Sequence, residues 1–97
     1  MFMAQVTVKF NVKSNAKVYI CGSTDNLGAW DAKKAVEVKD GALSKKFEEG
    51  TVVEFKVLAG KTWTKVEKGA YGEELCNHGF VATKGLVVNV DAFNFSK

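Results

Sequence analysis

Six of the 11 acidic residues stand where chemistry could be sought: Asp25, Asp31, Glu54, Glu67, Glu73 and Glu74. Hydrolysis of a glycoside needs two carboxyl groups facing each other across a cleft. Each of these six falls on a turn or on the polar side of a strand pattern, where a carboxylate stays hydrated, and no pair stands out. The run Cys76-Asn77-His78 places a thiol and an imidazole close together in sequence. Neighbours on an extended chain point to opposite sides, and residues two apart are held apart by the backbone. A nucleophile and its base normally come from separate elements. His78 is the single histidine, so it has no second imidazole for a metal site, and no Cys-x-x-Cys accompanies it. Glycines occur singly at turns, without a phosphate-cradling loop. The residues imply no catalysis, no metal and no cofactor.

The aromatic residues carry more information. Phe10, Phe47, Phe55 and Phe80 fall at strand positions and are expected in the core. Trp30, Trp63 and Tyr71 fall at or beside loops, and for Trp30 no packing period asks for a ring. A tryptophan is usually placed where its apolar body is covered and its N–H finds a partner. A loop tryptophan between small and polar residues is either a plug over the end of a core or a flat surface for a ligand. A pyranose ring has an apolar, C–H-rich face and a rim of hydroxyls. It fits two flat rings set at an angle, with donors and acceptors at the edge.

The elements that must position these residues are short strands. Val6, Val8, Phe10 and Val12 alternate with Thr7, Lys9 and Asn11, the period of a half-buried strand. Further strands are expected over 17–21, 35–38, 43–47, 52–59, 62–67, 80–83 and 86–90. Lys13-Ser14-Asn15, Asp40-Gly41, Glu48-Glu49-Gly50 and Lys84-Gly85 supply turns. Within 52–59, Val53, Phe55 and Val57 share one face, and Glu54 and Lys56 the other. Only Glu73-Glu74-Leu75 could form a helical turn. Proline is absent, so glycine, asparagine and aspartate must make the turns. The pattern predicts an all-β fold of seven to eight strands, an antiparallel β-sandwich or barrel, with the immunoglobulin-like β-sandwich favoured. Residues 1–97 are expected to form one domain, without linkers or repeats.

Composition narrows the classes further. Apolar residues at 46% and charged residues at 26% suit an ordinary globular chain. No apolar run approaches the ~20 residues that span a bilayer, and no signal-peptide pattern is visible, so no membrane partner is expected. The net charge of +3 is mild, and the lysines are scattered rather than gathered on one face, which argues against nucleic acid. Cys21 lies in an apolar strand as a small hydrophobe, and Cys76 in a loop. Reduced thiols in a cytoplasmic setting are expected, or an extracellular setting if the chain was cut from a secreted enzyme.

The run Val18-Tyr19-Ile20-Cys21-Gly22-Ser23-Thr24-Asp25-Asn26-Leu27-Gly28-Ala29-Trp30-Asp31 resembles the signature of family-20 carbohydrate-binding modules, the starch-binding domains. Val6-Thr7-Val8-Lys9-Phe10-Asn11-Val12 is similar to their first strand, and Lys34-Ala35-Val36 to the one after the signature. Val53-Glu54-Phe55-Lys56-Val57 resembles their Glu-aromatic-Lys strand. Thr62-Trp63-Thr64-Lys65-Val66-Glu67 and Asn77-His78 resemble the Trp-Glu and Asn-Arg elements that follow. The resemblance implies a non-catalytic site for α-1,4-linked glucans such as starch, glycogen or malto-oligosaccharides. In it Trp30 and Trp63 would stack on sugar rings, Lys56 would donate to hydroxyls and Asn77 would bond the same sugar unit. It also implies that a catalytic domain could be attached in a longer parent protein.

There are departures from the pattern. An insert over 68–76 separates Trp63 from Asn77, His78 stands where arginine is frequent, and the loop Lys13-Ser14-Asn15 lacks the tyrosine of the family's second site. Family-48 glycogen-binding modules share the Trp/Lys/Asn logic and are the second choice. Two readings from other classes remain beside this one. The first is a protein-interaction sandwich anchored by the same tryptophans. The second is a small hydrolase whose acids are brought together by folding.

Overall fold

The computed structural model describes residues 4–96. Its first strand, β1 (Gln5–Lys13), buries Val6, Val8, Phe10 and Val12 and exposes Thr7 and Lys9, as the alternation predicts. The other strands are β2 (Val18–Gly22), β3 (Val36–Val38), β4 (Ala42–Glu48), β5 (Val52–Leu58), β6 (Glu67–Lys68), β7 (His78–Val81), β8 (Val87–Asp91) and β9 (Asn94–Phe95). One sheet has the order β4-β1-β8 and the other β3-β2-β5-β7, with β6 and β9 pairing separately. This is the expected all-β sandwich, with two differences in detail. β1 and β8 run parallel, whereas every other strand pairing is antiparallel. The strand count rises because β6 and β9 are two residues each, too short to show a period.

The expected strand over 62–67 is largely a single turn of 3-10 helix, Trp63–Lys65. The Thr62 hydroxyl accepts from the Thr64 N–H at 3.3 Å, and the Lys65 N–H donates back to the Thr62 carbonyl. These local bonds compete successfully with extension. The possible helical turn at Glu73-Glu74-Leu75 is not formed, and Glu74 instead makes a β-bridge to Lys68. The Asp40-Gly41 turn is confirmed. Both residues have positive φ, 54° and 75°, and the turn carries the chain from β3 in one sheet to β4 in the other.

Between the sheets Phe10 is the hub. Its ring meets those of Phe47, Phe55 and Phe80 edge-on at centroid distances of 6.4, 5.3 and 5.5 Å. Edge-to-face contact sets the positive rim of one ring against the negative face of another. Val8, Ile20, Val53 and Val57 fill the space around them with no exposed surface. A second, smaller cluster lies on the outer face of the four-stranded sheet, where Cys21 and Leu58 are covered by Ala32 and Ala35. That sheet is thus apolar on both faces near the β2–β5 pairing.

Phe10→Ala should remove about 3–5 kcal/mol of stability, since it leaves a cavity among three other rings. Urea unfolding would measure it. A loss below ~1 kcal/mol would show that the ring cluster is not the structural hub.

Candidate functional site

The site begins where β2 stops. A Cβ on Gly22 would stand 2.7 Å from the Glu54 carbonyl oxygen and 2.8 Å from the Leu27 side chain, so only glycine fits between strand and loop. The Thr24 carbonyl then accepts from the N–H groups of both Leu27 and Ala29. Leu27 is fully buried and plugs the end of the core. The next three residues, Gly28, Ala29 and Trp30, all have positive φ (89°, 49° and 65°). At Gly28 a Cβ would also lie 2.8 Å from the Lys34 carbonyl oxygen.

Ala29 and Trp30 adopt this backbone at a cost of roughly 1–2 kcal/mol each. Hydrogen bonds offset it: Trp30 N–H reaches the Gly22 carbonyl at 2.9 Å, and Asp31 N–H reaches Gly28 at 2.9 Å. The Asp31 carboxylate caps the following turn by accepting from Lys33 N–H at 3.0 Å. The Leu-Gly-x-Trp-Asp run is thus a plug, a left-handed reversal, an outward ring and a cap. Beneath it, burial pushes the Cys21 thiol pKa up, the nearby Asp31 charge adds to the rise, and a hydrogen bond with the Trp30 backbone partly opposes it.

Trp63 reaches the same place from its own turn. That turn is held by Ala59 N–H to the Lys65 carbonyl and by the Ser96 hydroxyl to the Thr64 carbonyl, at 2.9 and 2.6 Å. The two indoles lie side by side at a centroid distance of 6.2 Å, tilted to each other by 38°. They are 36% and 41% exposed, so neither is a buried plug. Lys56 projects from the outer face of β5, opposite Cys21 in the strand register. Its ammonium donates to the Leu75 carbonyl at 3.1 Å, which leaves two further N–H donors.

Trp30, Lys56, Trp63 and Asn77 line one concavity of about 510 Å³, together with the apolar Val66. All four residues singled out in the sequence come together here. Val66 was missed, because the expected strand over 62–67 had no reason to turn it toward a ligand. On the other flank of the two indoles, Asp31, Lys33, Lys61 and Thr62 line a smaller hollow of about 320 Å³.

One expectation about the acids is corrected. Glu67 is not hydrated but 7% exposed, and its carboxylate lies 2.8 Å from His78 Nε2. The imidazole in turn stacks on Phe55 at 5.0 Å and 26°. A buried carboxylate requires such a partner, and the bond joins the segments carrying Val66 and Asn77. His78 is therefore structural. Three of the other acids have local duties: Asp31 caps, Glu74 pairs with Lys68 at 3.4 Å, and Glu73 accepts from the Tyr71 N–H. Both cysteines are free thiols, Cys21 buried and Cys76 exposed. Among the described residues no three His, Cys, Asp or Glu side chains gather as metal ligands would.

The sequence model of the starch binding domain matches residues 4–73, most of the chain. The chain belongs to this family of starch-binding domains. It binds α-glucan, and the binding is of the non-catalytic kind. The match holds Trp30, Lys56 and Trp63, while Asn77 lies beyond it. In fold, this starch-binding domain is similar to the family-20 module of the maltotetraose-forming amylase from Pseudomonas saccharophila STB07. The two are 19% identical, with a TM-score of 0.60 over 89% of this chain and 99% of that one. A glucoamylase from Hypocrea jecorina is similar at 18% identity and a TM-score of 0.65, over 99% of this chain and 18% of that one. The gamma-CGTase of alkalophilic Bacillus clarkii is similar at 24% identity and a TM-score of 0.59, over 96% of this chain and 15% of that one. The chain thus spans less than a fifth of these two enzymes. No curated protein sequence matches it closely.

Gly28→Ala tests the reversal that aims Trp30. Positive φ and the Lys34 contact together should make it destabilising by about 1–3 kcal/mol in urea unfolding. Unchanged stability would mean that the loop can relax and that the glycine is not required by its conformation.

Proposed function

We propose that Trp30 and Trp63 are the two stacking surfaces of this domain's α-glucan site, with Lys56 and Asn77 bonding the hydroxyl rim. The observation that carries this reading is the pair of half-exposed indoles, tilted at 38° above a concavity that Lys56 and Asn77 also line. An α-1,4-linked chain coils, so successive pyranose faces turn relative to one another and suit two inclined rings better than two parallel ones. Lys56, already oriented by Leu75, offers its remaining donors to sugar oxygens. Asn77 offers both a donor and an acceptor.

The binding energy is modest, because each hydroxyl must leave water and each new hydrogen bond replaces an old one. Two rings and a few rim contacts give a Kd on the order of 10 μM to 1 mM, or about 4–7 kcal/mol. A polymer presenting many sites raises the effective strength. On this reading the chain itself performs no hydrolysis: Asp31 caps a turn, Glu67 and Glu74 are paired and Glu73 holds a backbone N–H. It acts as one binding domain and serves an attached or neighbouring starch-active catalytic domain. The relatives are parts of amylase, glucoamylase and CGTase chains, and this favours the extracellular alternative over the cytoplasmic setting that the thiols suggested.

Calorimetry with a malto-oligosaccharide at two salt concentrations tests the site. Trp30→Ala should weaken binding by roughly 1–3 kcal/mol in a protein that stays folded. Lys56→Ala should weaken it by about 0.5–1.5 kcal/mol. Neither affinity should depend steeply on salt, because a neutral sugar releases no condensed counterions. Tighter binding to heparin or RNA would show instead that the lysines carry the interaction. In a separate assay the chain should release no reducing sugar from amylose. Turnover abolished by mutating Glu67 or Glu73 would overturn the non-catalytic reading.

A further inference from the structure

The insert between Trp63 and Asn77 is a small hairpin built from its own hydrogen bonds. Lys68 and Glu74 form a β-bridge and an ion pair at its base, and Gly69 N–H donates to the Glu73 carbonyl at 2.9 Å. At the tip, Gly72 N–H closes a β-turn on the Gly69 carbonyl at 3.0 Å, and Gly72 has a φ of 79°. The Glu73 carboxylate folds back into the room left by the missing side chain of Gly69 and accepts from the Tyr71 N–H at 2.9 Å. The backbone of Tyr71 is therefore fixed from two sides, while its ring is 96% exposed.

Such a turn has no use for an aromatic ring. Its central positions favour aspartate, asparagine, serine or glycine. Tyrosine instead offers a large, amphipathic contact surface with little rotamer entropy to lose. Its location is equally informative. One stem of the hairpin grows from Val66 and the other ends at Asn77, and both residues line the concavity beside the tryptophans. The Lys56 ammonium is bonded to Leu75 in the second stem. The hairpin thus rises between two residues of the site's lining and is tied to a third, Lys56.

We propose that Tyr71 is a third aromatic contact for the glucan, reached only by chains that run beyond the tryptophan pair and along the hairpin. This inference rests on the tryptophan face being the glucan site. Its consequence is chain-length selection: a short oligosaccharide covers the exposed faces of Trp30 and Trp63, and a longer one also covers the Tyr71 ring.

The test compares maltotriose with maltoheptaose by calorimetry on the full chain, with Tyr71→Ala, Tyr71→Phe and Trp30→Ala. Tyr71→Ala should weaken maltoheptaose binding about fivefold and leave maltotriose unchanged. Tyr71→Phe should keep most of the long-chain affinity, because the ring face makes the contact. Equal maltoheptaose affinity in Tyr71→Ala overturns the inference, and so does an equal loss for both sugars, which would mark a disturbance of the tryptophan site. If Trp30→Ala binds both sugars as well as the unaltered chain does, the tryptophan reading itself is wrong. That outcome is separate from either result at Tyr71.

Discussion

The close approach at Gly22 is the constraint on which the tryptophan face depends. There the end of β2 touches the backbone of β5, the Leu27 plug and the start of the site loop in the space of one missing side chain. Its carbonyl accepts the Trp30 N–H, and the next backbone N–H, that of Ser23, bonds the Glu54 carbonyl. A side chain at this position would push the loop off the sheet. Trp30 would then lose its hydrogen bond and the partner strand that carries Lys56. The ring and the cation are held in one frame because one glycine lets two strands and a loop meet.

The four-stranded sheet carries two apolar layers with different duties. Its inner face joins the phenylalanine cluster around Phe10, which fixes the sandwich. Its outer face, at Cys21 and Leu58, receives Ala32 and Ala35 and so gives the site loop something to rest on. Small residues suit that second layer, because alanine lets the loop backbone lie close to the sheet while the large indoles are displaced outward. Phe55 links the inner layer to the site from the other side: its ring stacks on His78, which holds Glu67. A site for a neutral, flexible sugar benefits from such preorganisation, since little binding energy is available to order the protein as well.

Much of this was legible in the residues. The alternation in β1 and β5 identified their buried faces because the strand period is strict. It thereby placed Lys56 on the face away from the core. The signature around Trp30 was readable for the same kind of reason: its glycines and cap act locally, through sterics and backbone hydrogen bonds. Trp63 was harder. Thr62, Thr64 and Val66 alternate like a strand, and bonds that periodicity does not record, from the Thr62 hydroxyl, from Ala59 and from Ser96, 32 residues ahead of Thr64, hold the segment as a short helix. Glu67 looked hydrated because its partner, His78, lies 11 residues away across the insert. Periodicity records the face of a strand and carries no trace of a long-range partner that makes burial tolerable. The parallel pairing of β1 with β8 is hidden similarly, as it joins the two ends of the chain.

The insert raises a separate question, since residues 68–76 separate Trp63 from Asn77 and yet both line one concavity. The answer lies in how the extra length is closed. A flexible loop of that size would cost chain entropy on closure and leave the two ends free to wander. Here the Lys68–Glu74 bridge brings the stems together at the base, so the extra residues leave the wall of the site and return to nearly the same point. The Glu67–His78 bond, just outside that bridge, then ties the two stems again under the site. With the ends fixed twice, the hairpin can vary in length and tip chemistry without moving Asn77 away from Lys56. What the tip presents to solvent becomes independent of the fold, so its side chain can change without disturbing the site beneath it.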